Sequence, residues 1–271
     1  MNSLNNLNNH IVTFLKGLWV GGTMTVPGVS GGSMAILLGV YDRLIRAVNS
    51  FWKEKSSLLF LLIFAAGGGL GMLLFSRALL ELLERYPLPL GYFFLGAVAG
   101  GIPLIFRSAR VRDFSLDAVL YPAIGLLLVL LLGQLPAGLF FLGTDSGILG
   151  ILLQLSGGVL TAAALVLPGI SVSQMLLMTG LYQGVMEHIS QLHILPLIPL
   201  GAGVLLGVAL TARLMERWME RHPKGTYLII LGFLLGSLPE LFPGLPQGRE
   251  LLPCAAMAAA GFLALYKMQR E

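Results

Sequence analysis

The sequence has few charged residues and only one cysteine, and both shortages exclude classes of protein. Charged side chains make up 11% of the 271 residues, whereas a soluble domain usually carries about 25%. The single cysteine, Cys254, excludes an internal disulfide and a cysteine-rich metal site. No motif in the chain indicates a cofactor, a metal site or a catalytic centre, so none is expected.

The segment from Met1 to His10 contains no lysine or arginine. A cleavable signal peptide begins with a basic region, so this segment does not resemble one. The net charge of the chain is +4, and its basic residues lie in short loops between apolar runs. That distribution does not indicate a nucleic-acid partner.

Apolar residues dominate what is present. They make up 56% of the chain, and several uninterrupted apolar runs approach the length of roughly 20 residues that spans a bilayer. The 35 glycines and 14 prolines suit closely packed and broken helices in lipid. The sequence therefore predicts an all-α polytopic membrane protein with a single membrane domain in contact with the bilayer.

Two similar loops interrupt the apolar runs, and we call them the first tip (residues 26–33) and the second tip (residues 167–174). Each has the order proline, glycine, apolar residue, serine. Proline ends the preceding helix, glycine permits a sharp turn, and serine can cap the helix that follows. A helix that begins in a water-poor place can bind an anion at its amino terminus.

Proline, glycine and charged residues divide the rest of the chain into predicted helices. These cover residues 11–26, 33–49, 57–85, 90–106, 116–135, 147–166, 173–189, 195–221, 225–242 and 251–267. The helices that flank each tip are short for a full span, so each pair is expected to form a re-entrant hairpin.

The second half of the chain repeats the first. Around the tips, the matching pairs are Pro27 and Pro168, Gly28 and Gly169, Ser30 and Ser171, Met34 and Met175, Gly39 and Gly180, and Tyr41 and Tyr182. Later pairs are Gly67 and Gly203, Gly71 and Gly207, Arg77 and Arg213, Glu84 and Glu220, Arg85 and Arg221, Pro87 and Pro223, Leu95 and Leu231, Gly96 and Gly232, Gly100 and Gly236, and Pro103 and Pro239. Repeat one covers about residues 11–136, and repeat two about residues 147–268.

The predicted number of crossings sets the orientation of the repeats. A hairpin followed by three spans carries the chain to the opposite side, so repeat two is expected to be inverted. In that arrangement all of the 17 lysines and arginines except Arg77, Arg85 and Arg249 lie on the side of the amino terminus. The positive-inside rule then places both termini in the cytoplasm.

Inverted repeats with broken helices are typical of transporters that bind their substrate between the repeats. The two tips are therefore expected to meet and to form one binding site. The candidate binding residues in the tips are Pro27, Gly28, Ser30, Gly31, Gly32, Ser33, Pro168, Gly169, Ser171, Ser173 and Gln174.

The first tip and the segment Gly39–Ile45, Gly-Val-Tyr-Asp-Arg-Leu-Ile, resemble the signature of a bacterial membrane family. That family was long described as a domain of unknown function and is linked to polyprenyl-phosphate transport (PopT). The likeness extends over nearly the whole chain, although Val172 and Gln183 differ from the family pattern in the second half. It implies a flippase that returns undecaprenyl phosphate to the cytoplasmic leaflet, so that cell-envelope synthesis can reuse this carrier lipid.

Four charged residues complete the predicted site for the phosphate headgroup. Arg77 and Arg213 are related by the repeat, and we expect them to receive the headgroup at the two ends of its path. Asp42 and Arg43 follow the first tip and are also candidates. A simpler interpretation makes the arginines interfacial anchors, with Arg77 paired to Glu81, and makes Asp42 and Arg43 a local pair.

Several alternatives stay open at this point. The tips could be simple kinks, Tyr41 and Tyr182 could belong to an aromatic belt, and His188 or His193 could sense protons. A small-anion transporter would use the same helix ends. A membrane enzyme resembling polyprenyl-pyrophosphate phosphatase is the other rival, but the tips offer neither the carboxylates nor the histidine that such chemistry needs. The oligomeric state is left open.

Overall fold

The computed structural model of the protein describes residues 2–24, 26, 29–111, 116–136, 147–191 and 193–268. These residues form α-helices and two short 3₁₀ turns, with no strand among them. The helices are α1 (Asn2–Thr23), α2 (Gly31–Leu37), α3 (Tyr41–Ser50), α4 (Lys55–Arg85), α5 (Pro87–Ser108), α6 (Asp117–Gly133), α7 (Ile148–Val166), α8 (Val172–Met178), α9 (Tyr182–Ser190), α10 (Ile198–Arg221), α11 (Pro223–Leu241) and α12 (Leu251–Met268).

Six of the described segments are long and apolar enough to cross a membrane. They contain α10 and α12, each with the 3₁₀ turn before it, α5, α7 and α11, and the first part of α4, and they have between 19 and 27 residues each. Helix α6 is apolar but shorter. The predicted all-α polytopic membrane fold is therefore confirmed.

The helix predicted over residues 33–49 is wrong in one respect, because it is two helices. Gly39 has a φ of +68°, and it follows the carboxy-terminal end of α2. The N–H of Gly39 donates to the Ile36 carbonyl over 2.9 Å, and the N–H of Val40 donates to the Ala35 carbonyl over 2.9 Å. These two bonds form a Schellman motif, which ends a helix at a residue in the left-handed region.

The helix predicted over residues 173–189 is divided in the same way. Gly180 has a φ of +71°, and the N–H groups of Gly180 and Leu181 donate to the carbonyls of Leu177 and Leu176. Helices α2 and α8 therefore have only seven residues each. The repeated pair Gly39 and Gly180 thus marks the end of a short helix in each half of the chain.

Close helix packing accounts for many of the glycines that the two halves share. Helix α1 lies along α4, α7 along α10, α5 along α12 and α6 along α11. A Cβ atom on Gly71 would lie 2.0 Å from the Leu18 carbonyl oxygen, and one on Gly96 would lie 2.0 Å from that of Ala258. On their partners in the repeat, a Cβ atom of Gly207 would lie 2.6 Å from Ala162 of α7, and one of Gly232 would lie 2.2 Å from the Pro122 carbonyl oxygen of α6. Small residues let helix backbones approach in this way.

The packing agrees with a repeat in which α1–α6 correspond to α7–α12. The pair of α1 and α4 then corresponds to that of α7 and α10, and the pair of α5 and α12 to that of α11 and α6. The opposite orientation of the repeats and their bounds, about 11–136 and 147–268, stay predictions. Helix α2 lies in the centre of the protein. Met34, Leu37 and Leu38 are almost completely buried there, together with Leu228, Ile230 and Leu234 of α11.

Candidate functional site

The two tips meet in the structure. The backbone N–H of Gly169 in the second tip donates to the hydroxyl oxygens of Ser33 over 3.0 Å and Ser30 over 3.2 Å in the first tip. The two hydroxyl oxygens are themselves 2.8 Å apart. Sequence positions 136 residues apart therefore share one hydrogen-bonded cluster at the centre of the fold.

Glycine is required where the tips cross. Gly169 has a φ of +78°, and a Cβ atom there would lie 2.4 Å from the carbonyl oxygen of Phe233 in α11. A Cβ atom on Gly32 would lie 3.3 Å from Pro168. The glycines thus let the second tip pass between α11 and the start of α2.

Tyr41 contacts the end of α7, directly before the second tip. Its side chain is buried, and its hydroxyl donates to the Val166 carbonyl at the end of α7 over 2.9 Å. The last carbonyls of a helix have no partner within the helix, so Tyr41 supplies one. This contact gives Tyr41 a structural role in place of the aromatic belt. In repeat two the equivalent of Tyr41 is Tyr182. The equivalent of Val166 in repeat one is Thr25, which lies outside the described residues.

A cleft of about 350 Å³ lies beside the contact between the tips. Its polar lining comes from both tips and from α11, with Ser30, Ser171, Ser173, Ser237 and Glu240. The other lining residues are small or apolar, and they are Met24, Val26, Val29, Gly31, Ala164, Leu165, Gly169, Ile170 and Val172. The cleft therefore combines apolar walls with four serines and one carboxyl group.

The serines of the two tips have different local roles. Ser30 caps α2, because its hydroxyl oxygen accepts from the Ser33 N–H over 3.1 Å. Ser171 makes no such cap, and its hydroxyl lies 3.3 Å from that of Ser173, which is exposed. Ser30 therefore holds the tips together, whereas Ser171 and Ser173 keep bonding capacity for a bound molecule.

The predicted tip residues have four different outcomes. Ser30, Gly31, Gly169, Ser171 and Ser173 line the cleft. Gly32, Ser33 and Pro168 form the contact between the tips. Gln174 points elsewhere, since its side-chain nitrogen donates to the Leu132 carbonyl at the end of α6, and Pro27 and Gly28 lie outside the described residues.

Arg77 and Arg213 do not line this cleft. Arg77 pairs with Glu81 over 3.1 Å, and their side chains are 90% and 67% exposed. The guanidinium of Arg213 lies 5.5 Å from the centre of the Trp52 ring. The structure thus shows the contacts of surface anchors, and a role in binding the headgroup stays a prediction for both arginines.

Asp42 lines a second cavity, of about 420 Å³, at the end of α11 that begins with Pro223. The Tyr227 hydroxyl donates to the Asp42 carboxylate there. Other charged residues of this cavity are Arg46, Arg107, Arg110, Glu216 and Glu220. Arg43 points away from it, with its guanidinium 4.2 Å from the centre of the Phe60 ring. Asp42 and Arg43 therefore do not face each other as one binding pair.

Sequence reasoning missed Ser237 and Glu240. They lie one helical turn apart, on the face of α11 that lines the cleft. A signal was available, because an acidic residue near the end of an apolar span is unusual in lipid and is often functional. Glu240 follows Pro239 within the span predicted over 225–242.

The arrangement suits the binding of a small polar group within an apolar surrounding. It offers serine hydroxyls and backbone N–H groups, which donate hydrogen bonds to an anion. Among the described residues, no cluster of histidine, cysteine and carboxylate side chains has a geometry that would hold a metal ion.

The fold and the cleft define a class of protein, a multi-pass helical membrane protein with a central polar site between broken helices. Residues 20–250 match the VCA0040-like family, which is described as undecaprenyl phosphate translocase-like, and the chain belongs to that family. This match confirms the family that the sequence motifs indicated.

Two relatives carry the name polyprenyl-phosphate transporter. The one from Staphylococcus aureus is 32% identical over 249 residues, which cover 87% of each chain. The one from Vibrio cholerae serotype O1 is 25% identical over 250 residues, which cover 87% of this chain and 78% of the relative. No solved structure matches the chain.

Proposed function

We propose that this protein is a transporter that moves undecaprenyl phosphate, or a related polyprenyl phosphate, across the cytoplasmic membrane. The movement returns the carrier lipid to the cytoplasmic leaflet, where envelope synthesis uses it again. The family is described as undecaprenyl phosphate translocase-like, and both relatives are named polyprenyl-phosphate transporters. The function is transport and not enzymatic turnover of the lipid.

The observation that carries the proposal is the cleft at the contact between the tips. A phosphate in hydrocarbon would lose its hydration, and an unpaired charge in a low dielectric costs tens of kcal/mol by idealised Born estimates. Hydroxyl and N–H donors must replace that hydration. One hydrogen bond to a charged group contributes only about 1.5–3 kcal/mol, so the several donors of the cleft have to act together.

The cleft also offers a place for an apolar tail. Met24 and Leu165 line it, and their exposed fractions are 37% and 40%. Because both residues line the cleft, their exposed apolar surface can contact the polyprenyl chain while the phosphate binds the hydroxyl groups. Such apolar surface favours a lipid over a small soluble anion.

The charge distribution supports an orientation for the path. In the predicted orientation, both termini and the Pro223 end of α11 share the side rich in basic residues, and we propose that this side is the cytoplasm. Ser237 and Glu240 lie near the other end of α11, so the cleft is nearer to the external face. Arg77 and Arg213 are proposed to meet the headgroup at the membrane surfaces.

The test is movement of lipid in proteoliposomes. Undecaprenyl phosphate is placed in the outer leaflet, and a headgroup-specific reagent follows its loss from that leaflet. We expect rapid loss with the wild type and slow loss with the Ser171→Ala/Ser173→Ala variant. Ser156→Ala is the matched control, because Ser156 is exposed on α7 and donates only to the Leu153 carbonyl.

Each result has a defined meaning. Loss without release of inorganic phosphate supports the transporter. Release of inorganic phosphate would identify an enzyme, and uptake of inorganic phosphate without lipid movement would identify a small-anion transporter. Equal rates in the double variant and the wild type would exclude the cleft as the binding site.

A further inference from the structure

The cleft that we assign to an anionic headgroup contains no positive charge among its described residues. The single ionisable side chain in its lining is acidic, and it is that of Glu240. In the sequence around the first tip, the residues outside the description are Thr25, Pro27 and Gly28, and none of them is ionisable. A deprotonated carboxylate in this position would repel a phosphate.

Charged groups on the surrounding helices lie elsewhere. Arg107 on α5 lines the second cavity, and Asp117 on α6 pairs with Lys224 at the start of α11 over 3.0 Å. The charged residues of α10 lie in its last turns, which lead into Pro223. Glu240 is 17 positions further along α11 than Pro223, a distance of about 25 Å at the helical rise of 1.5 Å per residue.

The remaining elements around the cleft present no charge to Glu240. Helix α1 and the first tip contribute Met24, Val26, Val29, Ser30 and Gly31. Helix α7 and the second tip contribute apolar residues, glycine and two serines. Among the described residues, no charged side chain other than that of Glu240 therefore lines the cleft.

We infer that Glu240 is a proton-binding residue and that the phosphate headgroup occupies the cleft together with a proton on its carboxyl group. This inference rests on the proposed function. A neutral carboxyl group donates a hydrogen bond to a phosphate oxygen, whereas a carboxylate only accepts. One proton from water therefore converts a repulsive neighbour into a donor.

The position of Glu240 permits that exchange. The side chain is exposed to the cleft, so water can deliver the proton before the lipid enters. When the headgroup leaves on the other side, the carboxyl group loses its partner and returns the proton to water there. One proton then crosses with each lipid, and a membrane that is more acidic outside drives the lipid inward.

The experiment measures the binding of undecaprenyl phosphate to purified protein in detergent as a function of pH. A single linked proton changes the dissociation constant by up to about ten-fold per pH unit. A phosphate monoester has its own ionisation near about pH 6, which contributes equally to every variant. The difference between the wild-type and Glu240→Gln profiles therefore isolates the carboxyl group.

We expect the wild type to bind more weakly as the pH rises, with a steeper slope than Glu240→Gln. The amide cannot ionise, so this variant keeps its affinity in alkaline solution. Glu240→Asp restores the steeper slope, because it restores a carboxyl group. Glu84→Gln is the control, since Glu84 is exposed on α4 and does not line the cleft.

A second arm tests coupling in proteoliposomes. An acidic exterior accelerates inward movement by the wild type, and we expect Glu240→Gln to lose that acceleration. Parallel pH profiles for the wild type and Glu240→Gln would overturn the inference, even if both move lipid. A wild-type protein that neither binds nor moves the lipid would instead overturn the proposed function.

Discussion

The backbone N–H of Gly169 is shared between Ser33 and Ser30, with donor–acceptor distances of 3.0 and 3.2 Å. One peptide group thus holds the second tip against the first. Ser30 has a further role as the cap of α2, whereas Ser33 has none at a helix end. The two serines should therefore respond differently to mutation.

Ser33→Ala should lower the free energy of unfolding by about 1 kcal/mol, because Gly169 keeps Ser30 as its acceptor. Ser30→Ala should cost roughly 1–2 kcal/mol, since it also removes the cap. Unfolding by denaturant in mixed micelles measures both. Ser173→Ala is the stability control, as its hydroxyl contacts only that of Ser171. Equal losses in all three variants would contradict this account.

Gly169→Ala should be far more damaging than an ordinary glycine substitution. The new methyl group would collide with the Phe233 carbonyl, and the backbone would stay at a φ of +78°. Such overpacking costs about 1–3 kcal/mol, and the left-handed conformation adds roughly 1–2 kcal/mol.

The matched substitution is Gly69→Ala. Gly69 is inside α4, where a Cβ atom would meet nothing within 4 Å, and alanine should stabilise that helix by up to about 1 kcal/mol. Yield and thermal stability in detergent compare the two variants. A Gly169→Ala protein as stable as Gly69→Ala would contradict the tip geometry.

Tyr41→Phe should destabilise the protein without changing its packing. The substitution removes only the hydroxyl that satisfies the Val166 carbonyl, and an unsatisfied buried acceptor costs about 1–3 kcal/mol. Tyr86→Phe serves as the control, because Tyr86 is 50% exposed. The free energy of unfolding should fall in the first variant and stay unchanged in the second.

Arg110→Gly should stabilise the fold. Arg110 has a φ of +53° and ends α5 with the same bonds as Gly39 ends α2, its N–H donating to the Arg107 carbonyl over 3.0 Å. An L-residue in this conformation costs roughly 1 kcal/mol relative to glycine. The reverse change, Gly39→Ala, should lower the free energy of unfolding by a similar amount. Thermal unfolding in detergent measures both variants, and a change of the melting temperature in the same direction for both would refute this explanation.

The sequence predicted the meeting of the tips because proline, glycine and serine carry strong local information. Adjacent proline and glycine, followed by a serine that can cap a helix, favour a break, and the repeat puts the two breaks in equivalent positions. The contact between the two tips then follows from the expectation that the two repeats face each other.

Other features were beyond a local pattern. Gly39 was included in the helix over 33–49, since an isolated glycine inside an apolar helix is common in membranes; only the bonds from Gly39 and Val40 reveal the end of α2. Glu240 belongs to a helix far along the chain from either tip, and its counterpart in the repeat is Leu104. Its place in the cleft depends on tertiary packing.

The pairing of α5 with α12 and of α6 with α11 has a consequence for biogenesis. Helices α1 and α4 can meet as soon as the first 85 residues have been inserted. The face of α5 that carries Gly96 and Gly100 packs only after α12 (Leu251–Met268) has been synthesised, and α6–α11 come between these two helices in the order of the chain. The entropic cost of closing a loop rises only slowly with its length. The delay before α5 and α12 pack is therefore set mainly by the time needed for synthesis. The membrane domain closes only when its carboxy-terminal helix has entered the bilayer.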